Sequence, residues 1–409
     1  MYLTISDKPS TEELMRKIYM DNGNTTPLHP DVLPEMLPYF SEHFGNPASI
    51  HGYGEAPRNA LNQARERVAG LIGATPDEVL FTSCGTEANN FAVKGVGSAL
   101  KKKGNHIIAS SIEHFSVLYS CKFLEKHGFE VTYLPVDGKG IVNPDDVKKA
   151  IKKETVLVTV MHANGEMGAV QPIAEIGKVT REAGVAFHAD AVASAGNIPV
   201  DVAEMNVDLL SMAANMFYGP KGVGALYVKK GTRVLPLFDG GVQEGGRRAG
   251  TENLPGIVGM GKAAELAKAE MPERIPRITA MRDRLIKGLQ DKIEFMYYNG
   301  HPTKRLPGNI SASMEYIEGE SMLLFLNMQG VAASSGSACT SRALKASHVL
   351  MAMGVPVEVT HGSLLLTLGR ENTEQDVDYI LEVLPPIVQR LRDMSPLYED
   401  MVIKKRAGA

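Results

Sequence analysis

Residues 79–89 read VLFTSCGTEAN, and this stretch decides the fold class. The apolar run Val79–Thr82 predicts a buried strand, and the Gly-Thr pair after it predicts the start of a helix. Six further apolar runs predict strands: His106–Ser110, Glu130–Leu134, Val156–Met161, Val185–His188, Asp208–Ser211 and Gly224–Val228. Helical patterns lie between them, and one, Ile173–Ala183, stops at Gly184, a natural residue for a helix C-terminus. Strands that alternate with helices indicate an α/β fold with a mostly parallel sheet covered on both faces.

The sequence after Met271 follows a different pattern. The elements predicted there are a charged helix (Arg274–Lys292), two strands (Ile310–Met314 and Leu364–Leu368) and a long amphipathic helix (Thr373–Met394). We therefore expect a large α/β domain of residues 26–270. Residues 1–25 and 271–409 would form a smaller α+β domain.

The composition excludes several classes of protein. The 409 residues are 44% hydrophobic and 22% charged, which is typical of a globular enzyme and not of a fibrous or disordered chain. The net charge of −4 gives no basic face for nucleic acid. Three cysteines cannot build a disulfide framework, which favours a reducing compartment. The apolar runs are shorter than about 18 residues, so we expect no membrane span and a cytoplasmic protein.

Polar residues follow several of the predicted strands, where ligands bind in parallel sheets. Thr86 opens a helix and is either a phosphate contact or a plain N-cap. His114 follows a second strand. Asp190 follows a third, and a buried carboxylate there needs a partner such as the protonated nitrogen of a heteroaromatic cofactor. Cys339 lies in a loop of small residues, where a thiol can act as a nucleophile, a sulfur carrier or a metal ligand.

The ordered motifs resemble those of the group I cysteine desulfurases of the NifS/IscS type, which have the PLP-dependent transferase fold type I. The motifs are Met20–Asn22 with Thr25–Pro27, Phe44–Ser49, Phe81–Ser83 with Thr86–Glu87, Glu113–His114, His188–Asp190, Tyr218–Gly222, Arg248–Thr251, Ser334–Ser341, Leu368–Arg370 and Arg392–Tyr398. The resemblance implies a homodimer in which a lysine holds PLP as a Schiff base. A loop cysteine takes the sulfur of L-cysteine, L-alanine is released, and a U-type scaffold protein receives the sulfur for iron–sulfur cluster assembly.

The resemblance also implies roles for individual residues. Thr86 would bind the PLP phosphate, and Thr251 would reach the phosphate in the neighbouring subunit. His114 would stack on the pyridine ring as a catalytic residue, and Asp190 would pair with the ring nitrogen. Arg370 would hold the substrate carboxylate as a fork. Cys339 would carry the sulfur, with the scaffold docked near Leu397 and the Cys339 loop.

The sequence departs from the family at the centre of this chemistry. The family motif Ser-Gly-His-Lys is Ala213-Ala214-Asn215-Met216 here, so Met216 replaces the Schiff-base lysine, and Ala213 and Asn215 replace two phosphate ligands. A Gln and an Asn that approach PLP are Ala193 and Gly165. A thioether is a weak acceptor and no base, and the lost hydrogen bonds weaken non-covalent PLP as well. The sequence therefore predicts weak or no PLP binding.

Lys221, five residues beyond Met216, is a poor replacement, because the family has a lysine there in addition to the catalytic one.

Three functions remain open from the sequence. The first, which we favour, is an iron–sulfur assembly component without desulfurase activity. It would present Cys339 to the scaffold as a ligand of an iron–sulfur cluster shared with it, or as the acceptor of a persulfide made elsewhere. The second is a working PLP-dependent cysteine desulfurase, which the retained Arg370 favours. The third is a different PLP-free function, such as another small-molecule site or a regulatory dimer partner.

Overall fold

The computed structural model describes residues 17–336 and 346–406, with side chains described as far as Met401. The strands are β1 (Ile18–Tyr19), β2 (Val79–Thr82), β3 (His106–Ser110), β4 (Glu130–Leu134), β5 (Thr155–Thr159), β6 (Ala186–Asp190), β7 (Leu209–Ala213), β8 (Gly224–Val228), β9 (Met296–Tyr298), β10 (Asn309–Met314), β11 (Val331–Ala332) and β12 (Ser363–Thr367). The helices are α1 (Val32–Met36), α2 (Pro38–Ser41), α3 (Glu55–Ile72), α4 (Gly85–Leu100), α5 (Phe115–Glu125), α6 (Pro144–Ala150), α7 (Ile173–Ala183), α8 (Leu254–Lys292), α9 (Gly319–Met328), α10 (His348–Ala352), α11 (Val357–Thr360), α12 (Glu374–Asp393) and α13 (Pro396–Arg406).

Strands β2 to β8 form one seven-stranded sheet in the spatial order β2-β8-β7-β6-β5-β3-β4. The five strands from β7 to β4 in this order run parallel, and β8 is antiparallel to both of its neighbours. The predicted α/β class with a mostly parallel sheet is confirmed.

Successive residues of the sheet strands face two different cores. In β3, Ile107 and Ala109 pack with α4 and α5, whereas Ile108 faces the core that α3, α7 and α8 share. Since both faces are covered by helices, β3, β5 and β7 are buried along their whole length instead of alternating between buried and exposed residues.

The other strands belong to two small sheets. β9, β10 and β12 form an antiparallel sheet in the order β12-β10-β9, and β1 pairs with β11 in parallel. Their core is separate and includes the second half of α8 together with α9 and α12. α8 begins at Leu254, well before the predicted start at Arg274, so the expected boundary after residue 270 falls inside this helix. The division into domains stays a prediction.

In the described part of the chain, none of the helices is both long enough and apolar enough to cross a membrane.

Candidate functional site

The carboxyl ends of the parallel strands open onto a cavity of about 350 Å³. Four of the polar residues selected from the sequence line it, namely Thr86, His114, Asp190 and Asn215. The small and apolar residues predicted for the same pocket, Gly165, Ala193, Ala213 and Met216, line it as well. The structure therefore brings these eight residues together, although they come from five separate stretches of sequence. Their roles remain predictions.

Asp190 is the last residue of β6 and is buried in the cavity wall. One carboxylate oxygen accepts a hydrogen bond from Asn89 Nδ2 at 2.7 Å, and the other accepts one from the Val192 backbone N–H at 2.9 Å. Burial raises the pKa of this carboxyl, because desolvation disfavours the charged form. Asn89, on the first turns of α4, was not selected from the sequence.

His114 is the N-cap of α5 and is tied to Asp190 through two intermediate side chains. Its Nδ1 accepts a hydrogen bond from the Ser116 backbone N–H at 3.2 Å and lies 2.7 Å from the Ser116 hydroxyl. Asn89 Nδ2 donates to that hydroxyl at 2.9 Å as well as to Asp190. With Nδ1 as an acceptor, the ring proton of neutral His114 is on Nε2. The arrangement is a continuous polar network along one wall of the cavity.

Met216 ends a short 3-10 turn, Ala214–Met216, that follows β7 directly. Its side chain is buried and lines the main cavity and also a smaller one of about 60 Å³ on its other side. The turn is held by its backbone. The Met216 carbonyl accepts from Asn197 Nδ2 at 3.0 Å, and the Asn215 carbonyl accepts from the Thr26 backbone N–H at 2.9 Å. The side chain at position 216 is thus placed in the cavity and carries no amine.

Two further carboxyl groups line the cavity, at Glu113 and Glu166. Glu113 accepts from the Ser110 hydroxyl at 2.5 Å and from the Met161 backbone N–H at 2.7 Å. Glu166 accepts from the Ser347 hydroxyl at 2.5 Å. Burial raises the pKa of each to about 8. Glu113 stands in the Glu113–His114 motif, but nothing in the sequence marked Glu113 and Glu166 as ionisable groups of one cavity.

The remaining predicted residues lie elsewhere. Thr251 lines a separate cavity with Arg248, and exposed Lys221 lines another, so neither is part of the main cavity wall. Arg370 pairs with Glu371 at 2.8 Å and faces Glu270 at 3.6 Å. It is absent from the described lining of the main cavity.

Two predictions concern the C-terminal part of the chain. Cys339 lies outside the described residues, as does most of its loop. Leu397, in α13, is an exposed apolar side chain.

Residues 18–380 match the family model described as aminotransferase class-V. Two relatives named cysteine desulfurase IscS, from Dictyoglomus turgidum and Methanosarcina thermophila, are 52% and 54% identical to this chain. The first alignment covers 96% of this chain and 100% of the relative, and the second covers 95% of each. A solved structure described as a NifS-like protein has a TM-score of 0.86 at 36% identity and covers 92% of this chain and 100% of its own. The chain belongs to the IscS/NifS-like cysteine desulfurase family.

Membership of the cysteine desulfurase family confirms the resemblance and the class-V aminotransferase fold. The cavity at the strand ends contains Thr86, His114, Asp190 and Met216, to which the resemblance assigned places in a PLP pocket. That assignment stays a prediction.

Proposed function

We propose that this member of the cysteine desulfurase family is an iron–sulfur cluster assembly component that lacks PLP-dependent desulfuration. It presents Cys339 to a U-type scaffold protein, as a ligand of a cluster shared with the scaffold or as the acceptor of a persulfide. The observation that carries the proposal is the cavity lining. Met216, which the family motif matches to the Schiff-base lysine, lines the cavity, and no Lys or Arg is found among the described lining residues.

The chemistry of the lining does not fit PLP. The cofactor needs an amine for its Schiff base and donors for a phosphate of about −1.5 to −2 charges. Among the described lining residues, Thr86 and the N-terminus of α4 remain as donors, but a helix N-terminus carries only about half a positive charge. The Asn215 amide donates instead to the Thr25 hydroxyl at 3.4 Å. Ala213, Ala193 and Gly165 supply no side-chain donor. No step of the proposed function therefore runs through PLP.

The proposed role of Cys339 rests on sulfur chemistry and on the two described ends of its loop. Gly336 on one side and His348 on the other both line the cavity, so the chain enters and leaves the Cys339 segment at the cavity wall. Iron–sulfur clusters are held by thiolates, and an open ligand position on a scaffold can be completed by the thiolate of a partner.

A homodimer is part of the proposal. Six large apolar side chains are exposed within one stretch near the N-terminus: Leu33, Leu37, Phe40, Phe44, Ile50 and Tyr53. Such a concentration of exposed apolar surface marks a protein–protein contact. Thr251 lies outside its own chain's main cavity, which is compatible with the expectation that it serves the neighbouring subunit.

The scaffold is proposed to dock near Leu397. This side chain is 67% exposed and Met394, on the preceding turn, is 69% exposed. The two form a small apolar surface between α12 and α13. We expect the Cys339 loop to complete the docking site.

The test of the proposed function is release of L-alanine from L-cysteine by the purified chain with added PLP, with and without the co-expressed scaffold. We expect no alanine in either condition, because the chain has no amine at position 216 to exchange with the substrate. Sustained alanine release would overturn the proposal.

The role of the thiol is tested by Cys339→Ser in a cluster-assembly reaction supplied with iron and sulfide on the scaffold. We expect a large fall in cluster yield, since a hydroxyl does not replace a thiolate ligand. Cys121→Ser is the matched control, because that thiol is buried and burial raises its pKa, which keeps it protonated. An unchanged yield with Cys339→Ser would contradict the role of Cys339 as a cluster ligand.

One observation favours the second candidate function, an active PLP-dependent desulfurase. The network from Asp190 through Asn89 and Ser116 to His114 is complete and could orient a pyridine ring. In that case the purified protein is yellow and makes alanine from cysteine. The proposed function predicts a colourless and inert protein.

A further inference from the structure

We propose that the main cavity binds a small organic cation with a single aromatic or heteroaromatic ring, in place of a phosphorylated cofactor. The inference rests on the proposed function, because it requires the cavity to be free of PLP. It goes further by naming the chemical class of ligand that the altered pocket accepts.

The described lining of the cavity offers acidic groups and no permanently positive side chain. Its described lining includes three acidic side chains, Asp190, Glu113 and Glu166, and neither Lys nor Arg. Arg274 lies beyond Met216 in the smaller cavity, where its guanidinium donates to the Gly196 carbonyl. Among these described residues, a dianionic phosphate would find no Lys or Arg as a counterion. A cation would meet three groups able to become its counterions.

Two buried side-chain atoms of cavity-lining residues lack hydrogen-bond partners among the described residues, which also favours a cationic ligand. Glu113 and Asn89 are fully buried lining residues, and each keeps one side-chain oxygen with no hydrogen-bond partner among the described residues. These are Glu113 Oε2 and Asn89 Oδ1. Buried polar atoms are nearly always paired in folded proteins, so an unpaired atom marks the place of a missing partner. An ammonium or a ring N–H can donate to the Asn89 amide oxygen, and also to Glu113 Oε2 once binding of the cation has ionised that carboxyl group.

The protonation of the cavity carboxyl groups couples binding of a cation to the release of a proton. Burial raises the pKa of Glu113 and Glu166 to about 8, so both are mostly neutral at pH 6.5 in the free protein. The other titratable groups in the described lining are Cys84 before α4, His114 before α5, Asp190 on β6 and His348 on α10. Burial lowers the pKa of His348, which favours the neutral ring. A bound cation favours the ionised carboxylate, so its binding releases a proton to the solvent.

The size and the apolar wall set the shape of the ligand. A volume of about 350 Å³ is at the lower end for small-molecule sites. The ring of Phe115 and the side chains of Met161, Val192 and Met216 provide the apolar part of the lining. A single ring fits that wall, and aromatic faces attract a positive charge.

The experiment compares three probes by isothermal titration calorimetry on the full chain at pH 6.5. Pyridoxamine carries a ring and an ammonium group, pyridoxamine 5′-phosphate adds only the phosphate, and pyridoxine lacks the ammonium. We expect pyridoxamine to bind at least about 10-fold more tightly than either of the others, the usual effect of one charged hydrogen bond. Repeating the titration in buffers of different ionisation enthalpy should show proton release with pyridoxamine.

Two variants locate the site. Glu166→Gln should weaken pyridoxamine about 10-fold and reduce the proton release. The matched control Glu175→Gln, on the exposed side of α7, should change neither. If Glu166→Gln fails to fold, Asp190→Asn should give the same loss of affinity.

Tighter or equal binding of pyridoxamine 5′-phosphate overturns the inference, and so does the absence of pyridoxamine binding at millimolar concentration. Alanine release distinguishes a failure of the proposed function from a failure of the inference that the cavity binds a cation. If PLP supports alanine release, the proposed function fails. If no alanine is released but the phosphorylated probe binds better, only the inference about the cation fails.

Discussion

Met216→Lys most directly tests whether the missing amine at position 216 and the other changed residues of the pocket prevent PLP binding. The Met216 side chain is 7% exposed, and it lines the cavity from a turn held by backbone hydrogen bonds. Methionine and lysine are both long and unbranched, so the substitution returns an amine to the cavity with little steric cost. The other changed positions of the pocket keep their present residues, namely Ala213, Asn215, Ala193 and Gly165.

The expected PLP affinity of this variant follows from the contacts that stay missing. Each absent hydrogen bond is worth about 0.5–1.5 kcal/mol. Four of them together amount to about 2–6 kcal/mol, or an affinity about 30-fold to about 25,000-fold below that of a pocket with all five family residues. A fivefold variant is sterically reasonable, because a Cβ at Gly165 would meet its nearest neighbour, the Ala193 Cβ, at 3.7 Å. We therefore expect Met216→Lys alone to bind PLP weakly and the fivefold variant to bind it well.

The assay is an absorbance titration with PLP, followed by borohydride reduction and mass spectrometry to find any lysine-linked cofactor. Lys221→Met in the wild-type background is the control, since it removes the nearest alternative lysine in the sequence. Covalent PLP on the wild-type chain would refute the reasoning. The reasoning would also fail if Met216→Lys alone bound PLP as tightly as the fivefold variant.

Three other outcomes are expected. Arg65→Met should lower the free energy of unfolding in urea by about 3–5 kcal/mol, because it removes the partner that donates to the buried Glu244 carboxylate at 2.7 and 2.8 Å. Arg284→Met, which removes solvent-exposed ion pairs, should cost much less, and equal losses for the two variants would contradict this expectation. Burial raises the pKa of Glu166 from 4.5 to about 8. Between these two pH values, the Glu166 carboxyl group is protonated in the folded chain and ionised in the unfolded chain. The stability that this proton contributes is therefore lost as the pH rises through this window. Glu166→Gln should make the fall in unfolding free energy with pH less steep, by up to about 1.4 kcal/mol per pH unit. Urea unfolding at several pH values measures this dependence. The same pH dependence in the variant and the wild type would show that the pKa of Glu166 is not raised. Leu397→Asp should weaken scaffold binding at least about 10-fold in a pull-down or calorimetric titration, whereas unchanged binding would move the docking site elsewhere.

Elements with local signals were predictable from the sequence. Helix α7 runs over Ile173–Ala183 as predicted, and it ends at Gly184 with a φ of 65°, a left-handed conformation that favours glycine. Strand β2 also has the predicted bounds, Val79–Thr82. In both cases the residues that define the element are neighbours in sequence, so periodicity and a terminating residue are sufficient.

Helix α8 was only partly predicted because its first half depends on tertiary packing. The expected helix began at Arg274, whereas α8 starts at Leu254 and contains several glycines and prolines, which lower helix propensity. Gly261 explains the exception: a Cβ at this position would lie 2.6 Å from the Ala64 Cα of α3. The glycine permits a close contact between two helices, and the packing stabilises a helix that propensity alone does not predict.

By itself, the sequence determined the alternation of strands and helices, the family motifs and the presence of methionine at position 216. Only the tertiary structure decided which ionisable groups share the cavity and which cations are kept away from it. Glu166 meets Ser347 from 181 positions away, and Arg370 faces acidic side chains instead of the main cavity. The physical reason is that periodicity reports which face of an element is buried. The pKa of a side chain is set by the desolvation and the neighbours that distant segments bring to it.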